Sequence, residues 1–184
     1  MLKSKFIDLA GKDEGRSVLI HELPALVADG YARAVLRQIG ADPDGGIVAL
    51  ALRHLVEVRA LGDEGLRLLQ RFVNVDNGGL AFVPKDWRNI EKLQQAALAL
   101  HVGFIVDREL IDIPVAMRAE QILDSVPDVR ATFCSPHIAA VIESDKATYR
   151  ELETVLSTED VFNIVEILNV RAVHDWHAAQ QSKA

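Results

Sequence analysis

The stretch from Asn89 to Val106, NIEKLQQAALALHVGFIV, constrains this chain more than any other. Ile90, Leu93, Ala97, Leu100, His101 and Phe104 recur at helical spacing and form one apolar stripe. Leu98, Val102, Ile105 and Val106 cover much of the opposite side. A helix apolar nearly all round belongs inside a fold or against a partner. Its wholly apolar part, Ala96 to Val106, is interrupted by His101 and is too short for a bilayer core of roughly 30 Å, which needs about 20 residues.

With 184 residues, the chain has room for one good-sized domain, or a domain with an appended module. Hydrophobic residues make up 49% and charged residues 26%, which argues against disorder. Aromatics are only 5%, so the core must be built from Leu, Val, Ile and Ala, a palette that favours helices. The 20 basic and 27 acidic residues give a formal charge of −7, which disfavours nonspecific binding to DNA or an anionic membrane. Cys134 is the single cysteine, so no internal disulfide and no multi-cysteine metal site can form. The opening MLKSKFIDLAGKDEG lacks the apolar run of a signal peptide, and a cytoplasmic location is expected.

Taken in order, Phe6–Leu9 and Ser17–Ile20 read as two short strands around a glycine-flanked charged turn. Pro24 suits a helix start, and the helix is expected to run to Ile39, burying Leu26, Val27, Tyr31, Ala34 and Val35, with Gly40 as its stop. After the turn Asp42–Gly46, an amphipathic helix carries Val48, Leu52, Leu55, Val56 and Arg59 and ends at Gly62. Asp63 then caps a helix bearing Leu66, Leu69, Phe72 and Val73. Asn77-Gly78-Gly79 breaks the chain, Leu80–Val83 reads as extended, and Asp86 or Asn89 caps the apolar helix. Beyond Pro114, Ala116–Leu123 has helical composition. Val126-Pro127-Asp128 reads as a boundary. Helices are expected at Pro136–Glu143, at Thr148–Leu156 and from Ser157 onward, the last opened by a capping box with Asp160. Its stripe is Val161, Ile164, Val165, Leu168, Ala172 and Trp176, and the polar tail QQSKA is expected to fray. The expected fold is mainly α: a helical bundle with a short N-terminal β-hairpin over 1–126 and a small three-helix C-terminal module over 128–184.

Catalytic chemistry is hard to assemble from these residues. His174 and His177 share a helical face at i, i+3 but lack a third ligand. Cys134 and His137 flank a helix start without a third group or an oxyanion loop. Neither Asp44-Gly45-Gly46 nor Asn77-Gly78-Gly79 has the strand–loop–helix context of a phosphate site. Glu151 and Glu153 fall on different faces, and His101 reads as a satisfied core histidine. No catalytic residue, metal or cofactor is expected. Apolar residues lying off the helical stripes point instead to a helix-in-groove surface, alongside an ordinary two-layer core.

Three segments carry a resemblance. SVLIHELPAL from Ser17, followed by YARAVL from Tyr31, is similar to the short-strand, Leu-Pro-Ala-Leu, then helix opening of tail assembly chaperones of long-tailed bacteriophages. LALHVGFI from Leu98 resembles the helix closing their first domain. ATYRELETVLSTEDVFNIVEIL from Ala147 resembles small phage tail-region proteins. The resemblance implies a non-enzymatic protein of the host cytoplasm that binds and solubilises the apolar tape measure protein and helps recruit tail tube subunits. It also implies absence from the finished particle, and a frameshifted long form in many members. Under this reading no nucleic acid or membrane is engaged, and self-association is compatible with it. Leu98, Val102 and Phe104 are the expected tape-measure contacts, and Phe162 and Val170 the contacts to a second partner. The main rival is a head–tail connector or tail-terminator-like subunit, which would form a closed ring. A DNA-binding module is disfavoured by the acidity, and an enzyme would need a convergent polar pocket.

Overall fold

The computed structural model describes residues 2–56, 84–109, 111–118 and 131–183. The expected helix around Leu66–Val73, the Asn77-Gly78-Gly79 break, the extended piece Leu80–Val83 and the Val126–Asp128 boundary lie outside the described residues. The chain is mainly α, with a two-stranded antiparallel hairpin at its start.

Strands β1 (Ser4–Asp8) and β2 (Ser17–His21) pair from Ser4↔His21 to Asp8↔Ser17. Between them a 3-10 turn, Gly11–Asp13, is anchored by the buried Asp13 carboxylate. That carboxylate accepts the N–H groups of Lys85 and Asp86 at 3.1 and 3.0 Å, and the Asn89 amide at 2.9 Å. Burial pushes Asp13 up, but these donors outweigh it and hold the group below the usual carboxylate range. The hairpin turn is thereby tied to the helix that begins at Trp87.

Six α-helices follow in the described chain: α1 (Ala25–Gln38), α2 (Gly46–Val56), α3 (Trp87–Val102), α4 (Pro136–Glu143), α5 (Tyr149–Thr154) and α6 (Thr158–Lys183). Pro114 opens a further short helical stretch at 115–118. Asp86, not Asn89, caps α3, accepting the Arg88 N–H at 3.1 Å. Asn89 is buried and clasps Ala10 instead, donating to its carbonyl and accepting its N–H. The apolar helix is also shorter than its pattern predicts. It closes at Gly103, and Phe104 and Ile105 fall in a 3-10 turn. At the other end of the chain the tail does not fray: α6 runs through Gln180, Gln181 and Ser182 to Lys183, with no helix breaker in its path.

Two clusters of buried side chains hold these elements. The first joins the hairpin, α1, α2 and α3 around Ile20, Leu36, Leu50 and Leu93. The second joins α4, α5 and α6 around Ile138, Val141, Leu152 and Val161, and is completed by Ala25 and Leu26 of α1. The element shared by both cores is therefore α1, not the apolar α3. Its small residues Ala25, Ala28 and Ala32, each at most 2% exposed, let neighbours approach from several sides. Ala34 is exposed, contrary to the pattern, and Asp29 and Arg33 are buried in its place.

The capping box expected at Ser157 formed, whereas Ser135, ahead of Pro136 at the start of α4, makes no side-chain cap. Ser157 and Asp160 make a reciprocal box, with the Asp160 N–H donating to Ser157 Oγ at 3.1 Å and the Ser157 N–H to Asp160 Oδ2 at 2.9 Å. Thr148 and Glu151 make another at the start of α5. That helix stops at Thr154, two residues before the expected Leu156. The Leu156 carbonyl instead accepts the N–H of Ala25 at 2.8 Å, supplying a partner for the start of α1, which has no side-chain cap.

Candidate functional site

The site is built outward from two charged residues one turn apart on α1. Asp29, 2% exposed, accepts the Ser135 N–H at 3.0 Å and so fixes the start of α4. Its other oxygen lies against Gly46, where a Cβ would come within 2.1 Å of it and where φ is +52°. Only glycine fits there, and α2 begins at that point. Arg33, 3% exposed, donates to the Pro43 carbonyl, to Asp44 at 3.3 Å and to the Thr132 carbonyl at 3.2 Å. It thus holds the turn before α2 and the segment before α4. One polar pair on α1 sets the spacing of two flanking helices.

Between those helices and the first turns of α6 lies an apolar cavity of about 310 Å³. Ile47, Val48, Ala49 and Leu52 line it from α2, His137 and Ile138 from α4, and Thr158, Val161 and Phe162 from α6. Leu52 is 60% exposed. Burial raises the Asp29 carboxyl above its ordinary range despite the Ser135 hydrogen bonds and the nearby Arg33 charge. Burial also lowers His137, favouring the neutral ring. His137 stacks on Phe162 with centroids 4.8 Å apart and planes at 21°. Thr158 is 5% exposed, and its hydroxyl finds no hydrogen-bond partner among the described residues.

Phe162 and His137 also form one wall of a second cavity, lined further by Ile105, Arg108, Ile113 and Val165. Phe104 meets Phe162 edge-on at 5.4 Å, and the Arg108 guanidinium sits 5.7 Å over the Phe104 ring. Arg108 is itself paired with Glu166 and donates to Asn163 Oδ1 at 3.0 Å.

No protein-family model matches this chain, and neither does any curated protein or solved structure. Its site must be read from its own residues.

Of the five expected contact residues, the structure brings Phe104 and Phe162 together, although they were assigned to different partners. Leu98 is a correction: it is 4% exposed and belongs to the first core, so it presents no surface to a partner. Val102 is half-buried against the same core, because the helix turns its Leu98 side inward along with Leu93 and Ala97. Val170 is exposed on α6. Cys134 is buried in the second core, where burial raises its thiol, the opposite of an activated nucleophile. His174 and His177 are exposed, and among the described residues no group of three or more His, Cys, Asp or Glu is placed to hold a metal.

Pattern reading missed Asp29, Arg33 and Thr158. The signal was present for the first two. Asp29 and Arg33 stand at i, i+4 in a helix otherwise rich in Ala, Val and Leu, on the side that carries Ala25, Leu26, Ala32 and Leu36.

Proposed function

We propose that this protein is a tail assembly chaperone of a long-tailed phage: a non-catalytic protein of the host cytoplasm that shields an apolar helical stretch of the tape measure protein and helps recruit tail tube subunits. The observation that carries the reading is the apolar cavity bounded by α2, α4 and α6, with Phe162 in its wall and the exposed Leu52 beside it. A concave apolar surface of this kind suits side chains projecting from a partner helix. The formal charge of −7 supports it further, since an acidic exterior keeps such a complex soluble. The contact surface then comprises Leu52, Phe104 and Phe162, with Val170 further along α6.

Co-expression with a tape measure protein tests the reading. The full chain is expected to keep the partner soluble and to co-purify with it. Leu52→Asp, at an exposed position, is expected to cut the recovered complex several-fold while leaving the far-ultraviolet circular dichroism unchanged. An absence of rescue together with a stable closed ring by light scattering would overturn the reading in favour of a connector or terminator subunit.

A further inference from the structure

We infer that the outer edge of β1 pairs with the same edge of a second copy, antiparallel across a two-fold axis at Phe6, so that two hairpins become one four-stranded sheet. The inference is independent of the chaperone reading.

The hydrogen bonds of the hairpin show what this edge offers. The Lys3 carbonyl accepts the Glu22 N–H at 2.8 Å, and the Leu9 N–H donates to the Arg16 carbonyl at 2.9 Å. In the register Ser4↔His21 to Asp8↔Ser17, the odd-numbered residues of β1 therefore turn their main-chain groups toward β2. Ser4, Phe6 and Asp8 turn theirs away, and β1 has no second neighbour strand among the described residues. The Asp8 carbonyl marks that outward direction by accepting Lys92 Nζ at 2.7 Å. All three residues are exposed, Phe6 by 70%. An alternating row of outward N–H and C=O groups is a template for another extended strand.

The side chains select a second copy as that strand. Residues directly opposite in an antiparallel pair share a face, so the two-fold axis passes through a residue. At Phe6 it sets Phe6 against Phe6 of the partner subunit, with main-chain bonds exchanged in both directions, and Ser4 against Asp8 of the partner subunit. The middle row of the joined sheet is then apolar, since the half-buried Leu19 flanks Phe6 on β2. In the outer rows each Asp8 carboxylate faces the other copy's Ser4 and His21, whose Oγ and Nδ1 lie 2.7 Å apart. An axis at Lys5 would oppose two ammonium groups, and one at Ile7 would set Phe6 against an Asp8 carboxylate.

The strand has five residues, a length of about 17 Å. The contact therefore falls below the roughly 1,200 Å² of a stable complex, and the dimer is reversible, with a dissociation constant on the order of 10–100 µM. Being isologous, it closes at two copies and builds no ring.

Sedimentation equilibrium on the full chain, with amide hydrogen exchange well below and well above that constant, tests the edge. The Phe6 N–H should exchange freely in the monomer and about tenfold more slowly when the dimer fills. The Ile7 N–H, held by β2, should be slow at both concentrations. Phe6→Pro removes only an outward N–H, as an edge position tolerates. It should weaken the dimer at least about tenfold while Ile7 stays protected. Phe6→Cys should cross-link on mild oxidation, because facing residues of a hydrogen-bonded pair stand about 5.5 Å apart at Cα. Ser4→Cys should not, its symmetry mate lying about 14 Å along the edge. Cys134 is buried and does not compete. A chain that stays monomeric throughout, a dimer unmoved by Phe6→Pro, or Ser4→Cys cross-linking as readily as Phe6→Cys would overturn the inference. A monomer whose Phe6 N–H becomes protected only on adding another protein would overturn it in favour of a foreign strand.

Discussion

His101 shows how a single side chain can look like chemistry and prove structural. It is fully buried, accepts the Leu23 N–H through Nε2 at 2.9 Å and faces the Ala97 carbonyl through Nδ1 at 2.7 Å. That arrangement requires the neutral ring with its proton on Nδ1. Burial is the main cause that lowers it from 6.5 to about 4, while the Ala97 carbonyl pulls the other way. Between those values the unfolded chain binds the extra proton and the folded one does not. Stability from this group is therefore present above about pH 6.5 and falls as the pH drops toward 4, by at most about 3 kcal/mol. Denaturant melts between pH 7 and pH 4 should show this decline, and His101→Gln should flatten it. Asp29 works in the opposite sense: its raised carboxyl makes the fold less stable as the pH rises through its titration. Gly46 is the other decisive residue. Its left-handed backbone and the Asp29 oxygen beside it leave no room for a methyl group, so Gly46→Ala should cost about 2 kcal/mol or more in equilibrium unfolding.

At the scale of elements, the apolar stripe of α3 was legible and its inward face was not. Ile90, Leu93, Ala97 and His101 pack as the spacing predicts, yet Leu98, assigned to the outer side, is in the core with them. Periodicity marks how wide an apolar face is, and neighbours decide how much of it they cover. Leu98→Asp should therefore unfold the protein rather than release a partner, and Leu98→Ala should cost about 2–5 kcal/mol, as read by thermal melts. Helix starts were the most readable elements, because a cap is a local contract between residues three apart. The Ser157–Asp160 box formed as written, and Ser157→Ala should lower stability by about 1 kcal/mol. The end of α5 was not readable, since the Leu156 carbonyl is claimed by Ala25, more than a hundred residues earlier.

At the scale of the molecule, the two cores meet on α1. The second core contains Ala25 and Leu26, and Asp29 and Arg33 reach from α1 to the segments that open α4. The C-terminal helices thus do not close a core of their own, and calorimetry of the full chain should give one cooperative transition with matching calorimetric and van't Hoff enthalpies. A fragment beginning at Asp128 should show little stable helix by circular dichroism. The sequence by itself determined the helical class, the N-terminal hairpin, the capping box that opens α6, and the apolar stripe of α3. All of these rest on short-range periodicity and on hydrogen bonds between near neighbours. Only the tertiary structure decided that α1 is the shared axis, that Asp29 and Arg33 set the helix spacing, and that Phe104 and Phe162 share a surface. Those outcomes depend on contacts between residues tens of positions apart, and a cavity exists only where such distant walls fail to meet.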